Sequence, residues 1–480
     1  MKTSNIIPRN IEQEFSIEEL FFSTTDKKGI ILTGNSVFTR VSNYEYTDLV
    51  GKPHNTIRHP DMPQAVFKLL WDYILDGKPI VAYVKNMAKN GNYYWVMALV
   101  TSVGDNFLSV RFKPSSAIFP LVQSIYTELR NLEQSYPVRS GSRKEAILAS
   151  EKRLLEILAS HGFSDYDSFM RTALCEELRS RDKILQAKNL KAIPELNYKV
   201  SSRDPSIVTK LADSYASLSS MYSNVINLFE QIDEFVTLNQ NLSEKVSFIQ
   251  NLTKTFQLIS LNASVEAAKL GEHGRSLSVI AEHLGSTSSE ISRVVHEVTN
   301  RIDSLSPLLK DLTFRLAATR LQIEMNLVFC VEFIDITTTG KKESMPLYYS
   351  QADDMIADLK ESFTNTFGQT TTNLKSLQEQ LGSLESNNED LRKTILQLLF
   401  SHLSGTIEAS RINETQKFAV ILEEVKEHIE DTKKELGDLS ASIERIRSKI
   451  SSLRGMGLGQ AGSAISQDRT SQFVNQEMNL

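Results

Sequence analysis

Cysteine is nearly absent from this chain of 480 residues: Cys175 and Cys330 stand far apart and no CxxC pair exists. Neither a disulfide framework nor a thiolate metal site is predicted, and a reducing cytoplasm is the expected compartment. A large excess of one sign of charge is also absent. The net charge is only −6, which gives no reason to expect nucleic acid as a partner. No run approaches the roughly 20 apolar residues of a membrane span. The nearest, "NLVFCVEFI" at 326–334, is short and contains Glu332. The opening "MKTSNIIPRNIEQEF" lacks the apolar stretch of a secretory signal. A plausible pocket shows no paired carboxylate, no nucleophile with a base and no metal-ligand spacing, so a soluble protein without enzymatic activity is predicted.

Proline is confined. Ten of twelve lie at or before Pro205, and only Pro307 and Pro346 follow. Both tryptophans, Trp71 and Trp95, lie in the first hundred residues. An N-terminal segment (1–19) should precede an α+β domain over 20–115. Lys28-Gly29 and Asn90-Gly91 mark hairpin turns there, and "PQAVFKLLWDYILDG" marks a helix. A helical connector follows over 116–205. From Val208 the apolar residues Leu211, Tyr215, Leu218, Tyr222, Val225, Phe229, Ile232 and Val236 alternate steps of three and four, the pattern of a coiled coil or long bundle. Carried to Leu270, such a helix is about 95 Å long and needs partners for its apolar stripe. Two glycines, Gly271 and Gly274, interrupt it and predict a reversal, which makes 206–337 a helical hairpin. Pro307 should break or kink the returning arm near Ser306. A second helical region spans 347–455, and the Gly/Ser-rich 456–480 reads as a disordered tail.

The phrase "GKPHNTIRHPDMP", followed by "VKN" and "YYWV", resembles the PAS domain of bacterial aerotaxis receptors. The resemblance implies a five-stranded antiparallel sheet with helices around a pocket that holds FAD non-covalently. It maps cofactor contacts onto Asn35, Arg58, His59, Asp61 and Asn86, with Trp71 nearby. A haem, with His54 or His59 as axial ligand, and an empty pocket stay open as alternatives.

"LISLNASVEAAKLGEHGRSLSVIAEHL" resembles the cytoplasmic tip of methyl-accepting chemotaxis proteins, in degenerate form. In that family the tip of a long antiparallel helical hairpin binds a coupling protein and a histidine kinase. Glu266, Lys269, Glu272 and Arg275 would then face the partner. "HLSGTIEASRINETQKFAVILEEV" at 402–425 resembles the same tip. Glu408, Arg411 and Glu414 stand for Glu266, Lys269 and Glu272, so a second hairpin should turn near 412–415. Chemoreceptors are homodimers whose paired hairpins make a four-helix coiled-coil bundle; a chain with two hairpins predicts either a homodimer or an intramolecular pseudo-dimer. The expected function is a cytoplasmic transducer of redox or oxygen signals, with a PAS-linked scaffold serving a non-chemotaxis partner as the alternative.

Overall fold

In the computed structural model of the chain, residues 6–137, 141–200, 206–339, 346–412 and 415–453 are described. Strands β1 (Phe21–Thr25) and β2 (Ile31–Gly34) form an antiparallel hairpin, with Gly29 at φ +76° in its turn. Helices α1 (Ser36–Ser42), α2 (Tyr46–Leu49) and α3 (Gln64–Leu75) lead to β3 (Ile80–Met87), β4 (Tyr93–Val103) and β5 (Asn106–Phe112). The β3–β4 turn places Gly91 at φ +87°, a conformation that a side chain disfavours. β5 pairs with both β4 and β1, giving the antiparallel order β2-β1-β5-β4-β3. The five-stranded sheet with helices agrees with the α+β expectation.

Among the described residues eight further α-helices follow: α4 (Ile118–Ser135), α5 (Ser142–Ser160), α6 (Tyr166–Ala187), α7 (Ser206–Lys269), α8 (Arg275–Thr338), α9 (Pro346–Ser350), α10 (Ala352–Ala409) and α11 (Gln416–Leu453). α7 and α8 each run for 64 residues on either side of a short 3₁₀ turn, Gly271–Gly274. Of the break or kink expected at Pro307, the break does not occur, because α8 continues through it. Its neighbours Leu305 and Leu309 are buried in the bundle, and packing on that scale outweighs a lost helical hydrogen bond and its steric cost of roughly 3 kcal/mol. The expected second turn loses Asn413 and Glu414 from description, since both lie outside the described residues, as does the expected tail 456–480.

The chain divides into two compact units. Among the described residues, the first takes those through Phe229 together with Thr313–Thr370; the second takes Glu230–Leu312 and 371–453. In the first unit, α4 covers the outer face of the sheet, with Phe119 against Tyr83 (5.9 Å) and Trp95 (5.4 Å). Three carboxylates from later helices satisfy backbone donors at earlier helix starts, which would otherwise be orphaned. Glu133 of α4 accepts from Gln64 N (2.9 Å) and Ala65 N (3.0 Å) at the start of α3. Glu177 of α6 accepts from Ser116 N and from the Tyr83 hydroxyl, both at 2.8 Å. Glu332 of α8 accepts from Ser36 N at 2.8 Å. A buried ionic cluster binds the same unit: Glu324 receives Arg181 (2.5 Å), Arg320 (2.9 Å) and the Tyr222 hydroxyl (2.7 Å), and Arg320 also pairs with Asp182.

In the second unit, α7, α8, α10 and α11 share a core near the tip, and each buries apolar residues further along. Leu242, Val246 and Ile249 of α7, Ile291 and Val298 of α8, Leu391 and Leu398 of α10, and Leu436 and Leu439 of α11 are all buried. One chain thus supplies all four helices.

Candidate functional site

The inner face of the sheet, α3 and the His54–Ile57 turn enclose a cavity of about 190 Å³. Side chains alternate along a strand, so Phe107, Ser109 and Arg111 of β5 all point into it, as do Val84 and Asn86 of β3 and Ala98 and Val100 of β4. α3 adds Phe67, Leu70, Trp71 and Ile74 at steps of three and four, one face of a helix. Trp71 meets Phe107 edge-on at 6.1 Å.

The polar part of the wall includes several donors. Arg111 is buried and donates to the Ser23 hydroxyl (3.0 Å) and to His54 Nε2 (2.7 Å). An arginine only donates, so Nε2 of His54 is the acceptor and the ring proton sits on Nδ1. Burial and then the Arg111 charge lower His54 to about 3, so it is neutral. Burial lowers Arg111 to about 10, and it remains a cation near neutral pH. Asn86 Nδ2 and Ser109 Oγ are buried without a hydrogen-bond partner among the described residues. Buried polar groups are rarely left so, and both line the cavity.

A second, larger groove of about 870 Å³ shares Pro53, Asn55 and Arg58 with the cavity. Lys52, His59, Arg130 and Arg143 also line it. Arg58 lies over the Phe67 ring at 3.9 Å and donates to Met62 O at 3.2 Å. Burial lowers it to about 10.

Of the residues expected to touch a cofactor, Arg58, Trp71 and Asn86 line the cavity, and Arg58 and His59 line the groove. His59 is buried and accepts the Asp61 N–H at Nδ1 (3.2 Å); burial and then Lys85 lower it to about 4. Asp61 pairs with Lys85 at 2.7 Å and lines neither space. Asn35 lines neither space as well. It caps α1 by accepting Phe38 N (3.3 Å), accepts Phe22 N (3.3 Å) and donates to Glu332 (3.2 Å). Arg111 and Ser109 are not among the residues that the motifs single out, and His54 enters there only as a haem ligand. The available signal was "FLSVRF", where a serine and an arginine alternate with apolar residues in an otherwise apolar strand.

At the helical tip the expected charged residues are described except Glu414, which lies outside the described residues. Each pairs within its own turn: Glu266 with Lys269 (2.6 Å), Glu272 with Arg275 (2.7 Å) and Glu408 with Arg411 (3.3 Å). The two turns share a core of Ala263, Ala267, Leu277 and Ala281 with Ala409, Phe418 and Leu422. Buried positions correspond between the copies: Ala267 with Ala409, Leu277 with Phe418, Ala281 with Leu422. Exposed apolar positions correspond too: Leu258 with Phe400, Leu261 with Leu403, Val265 with Ile407, Val279 with Val420. The same inside and outside pattern twice is the mark of an internal repeat.

Comparison with known proteins fits these two regions. Residues 31–109 match the PAS fold, and residues 208–385 match the methyl-accepting chemotaxis protein signalling domain. The aerotaxis receptor of Escherichia coli is 36% identical over 124 residues, 25% of this chain and 24% of that protein. Biofilm dispersion protein BdlA of Pseudomonas aeruginosa is 20% identical over 282 residues, 58% of this chain and 53% of that protein. Methyl-accepting chemotaxis protein IV of Escherichia coli is 31% identical over 94 residues, 18% of each chain. The chain thus spans about half or less of the length of these relatives. Among the described residues no helix is long and apolar enough to cross a membrane. The chain joins a PAS domain to a methyl-accepting chemotaxis protein signalling domain.

Proposed function

We propose that this chain is a cytoplasmic redox sensor. FAD, held non-covalently in the PAS cavity, sets the state of the helices, and the helical tip docks a coupling protein and a histidine kinase. The observation that carries the reading is the pair of buried polar atoms without partners among the described residues, Asn86 Nδ2 and Ser109 Oγ, in the same wall as Arg111. A flavin ring supplies a redox couple whose charge and hydrogen bonding change with oxidation state. Asn86 both donates and accepts, as a ring edge with carbonyl and N–H groups requires. Phe67, Trp71 and Phe107 offer apolar faces, and the guanidinium groups of Arg58, Arg130 and Arg143 suit a diphosphate in the groove.

A route from the cavity to the long helix is built from short contacts. β5 pairs with β1 in the register Phe21↔Arg111. Asn35 accepts from Phe22 N and donates to Glu332 of α8. A changed bond at Arg111 biases this chain of contacts, and a coupling of about 1–3 kcal/mol between two packings suffices for a signal.

The four helices of the bundle core act in this reading as a pseudo-dimer within one chain. Its two tips present matching exposed apolar residues, Phe400 and Val420 being 70% and 69% exposed. Such patches mark interaction surfaces.

The absorption spectrum of the purified protein after loading with FAD and desalting tests the sensor. Retained flavin bands are expected, and their absence defeats the proposal. Capture of the coupling protein by the wild type, lost in a Leu258→Glu, Phe400→Glu variant, tests the output. A second reading assigns the tips a partner outside chemotaxis. The name of the biofilm dispersion relative, matched over 58% of this chain, favours it. A wild type that captures neither coupling protein nor kinase supports that reading.

A further inference from the structure

We infer that Arg111 is the anion subsite of the cavity, holding the part of the ligand that gains negative charge on reduction and so favouring the reduced form over the oxidised one. The inference rests on the flavin reading above and adds the residue that tunes it. Two other arginines of this unit are as deeply buried, and both have acids. Arg181 meets Glu324, and Arg320 meets Glu324 and Asp182. Arg111 has none among the described residues. It donates to the Ser23 hydroxyl and the His54 ring, the rings of Phe21 (6.0 Å) and Phe38 (5.6 Å) lie beside it, and the neutral phenol of Tyr94 is a further neighbour that brings no charge. His54 cannot serve as counter-ion, because it stays neutral to act as acceptor. It is held in that role by stacking on Phe38, with ring centres 6.2 Å apart and planes at 8°.

A buried cation without an anion is unfavourable unless something else supplies negative charge or strong acceptors. The open side of Arg111 is the cavity. Ser109, two residues earlier on the same strand face, and Asn86, on β3, add unsatisfied polar atoms to the same wall. The group that completes the wall is therefore rich in acceptors. When a flavin ring takes up two electrons and one proton, delivered by dithionite and water in the experiment below, it gains one net negative charge. A fixed guanidinium in the cavity wall stabilises that charge more than it stabilises the neutral oxidised ring.

The test uses the full-length protein loaded with FAD and a dithionite titration against a reference dye. The wild type should show a midpoint potential above that of free FAD. Arg111→Met should lower the preference for reduced over oxidised FAD at least tenfold, which is about 30 mV for a two-electron couple. Arg111→Lys should recover most of the shift. A wild type that retains FAD at a midpoint no higher than the free cofactor overturns this inference alone, even if Arg111→Met does not fold. So does a folded Arg111→Met that retains FAD at the wild-type midpoint. A wild type that retains no FAD overturns the flavin reading, and this inference with it.

Discussion

Glu332, on the long helix α8, accepts the backbone N–H of Ser36 at the first turn of α1, at 2.8 Å. The same carboxylate receives the Asn35 amide (3.2 Å) and the Tyr348 hydroxyl (2.7 Å). A negative side chain at a helix start satisfies orphan donors and suits the helix dipole. Here this capping group comes from 296 residues away in sequence and adds to the local cap by Asn35, so the start of α1 is tied to α8.

Glu332→Ala should therefore destabilise the first unit by about 2 kcal/mol, the range for a charge-assisted hydrogen bond and the donors it leaves bare. Glu332→Gln should recover part of this. Hydrogen exchange should speed up at Phe38 and the rest of α1; unchanged exchange there would show that the contact carries no stability.

The Arg181–Glu324–Arg320 cluster is buried, so removing one member strands a charge. Burial alone would raise Glu324, but Arg181 and Arg320 more than offset it and hold its carboxyl below the usual range. Arg181→Met should cost about 3–5 kcal/mol. Arg181→Met with Glu324→Met should cost less than the sum of the two single changes, because each removes the reason the other hurts. Additive urea-unfolding free energies would contradict the coupling.

The two tip glycines should differ in tolerance. Gly271 has φ +58° and open space where a Cβ would stand, so Gly271→Ala costs only backbone strain, roughly 1 kcal/mol. At Gly274 an added Cβ would stand 2.0 Å from Ala267 O, which forces the turn apart. Gly274→Ala should destabilise the second unit more than Gly271→Ala in denaturant unfolding, and the reverse order would refute the packing described.

Acid should weaken the PAS domain of the apoprotein through two histidines. His54 and His59 are lowered by burial first, to about 3 and about 4, against about 6.5 in an unfolded chain. Between those values the unfolded state binds more protons, so stability rises with pH and is fully present only above about 6.5. At pH 5 each histidine should cost about 2 kcal/mol. The melting temperature should fall from pH 7 to pH 5, and His54→Gln with His59→Gln should flatten that slope. An equal slope in the variant would rule out these two groups as its source.

Local pattern determined a good deal by itself. Asn90-Gly91 marked the β3–β4 hairpin, and the alternation of apolar residues from Val208, with Gly271 and Gly274, marked α7, its turn and α8. The likeness of "EAAKLGEHGR" and "EASRINETQK" marked a repeat whose buried and exposed positions then coincided. These features follow from backbone geometry acting over a few residues, so they are written in consecutive letters. The partners of the polar groups are not written that way. Asn35, expected beside a cofactor, is turned toward Glu332, and Arg111, inconspicuous in "SVRF", is left facing the cavity without an acid among the described residues. Pro307 was expected to interrupt a helix that packing carries through it. In each case the outcome depends on which surfaces the folded chain brings together, because a buried charge or donor is satisfied across space rather than along the chain. Only the tertiary structure decides that.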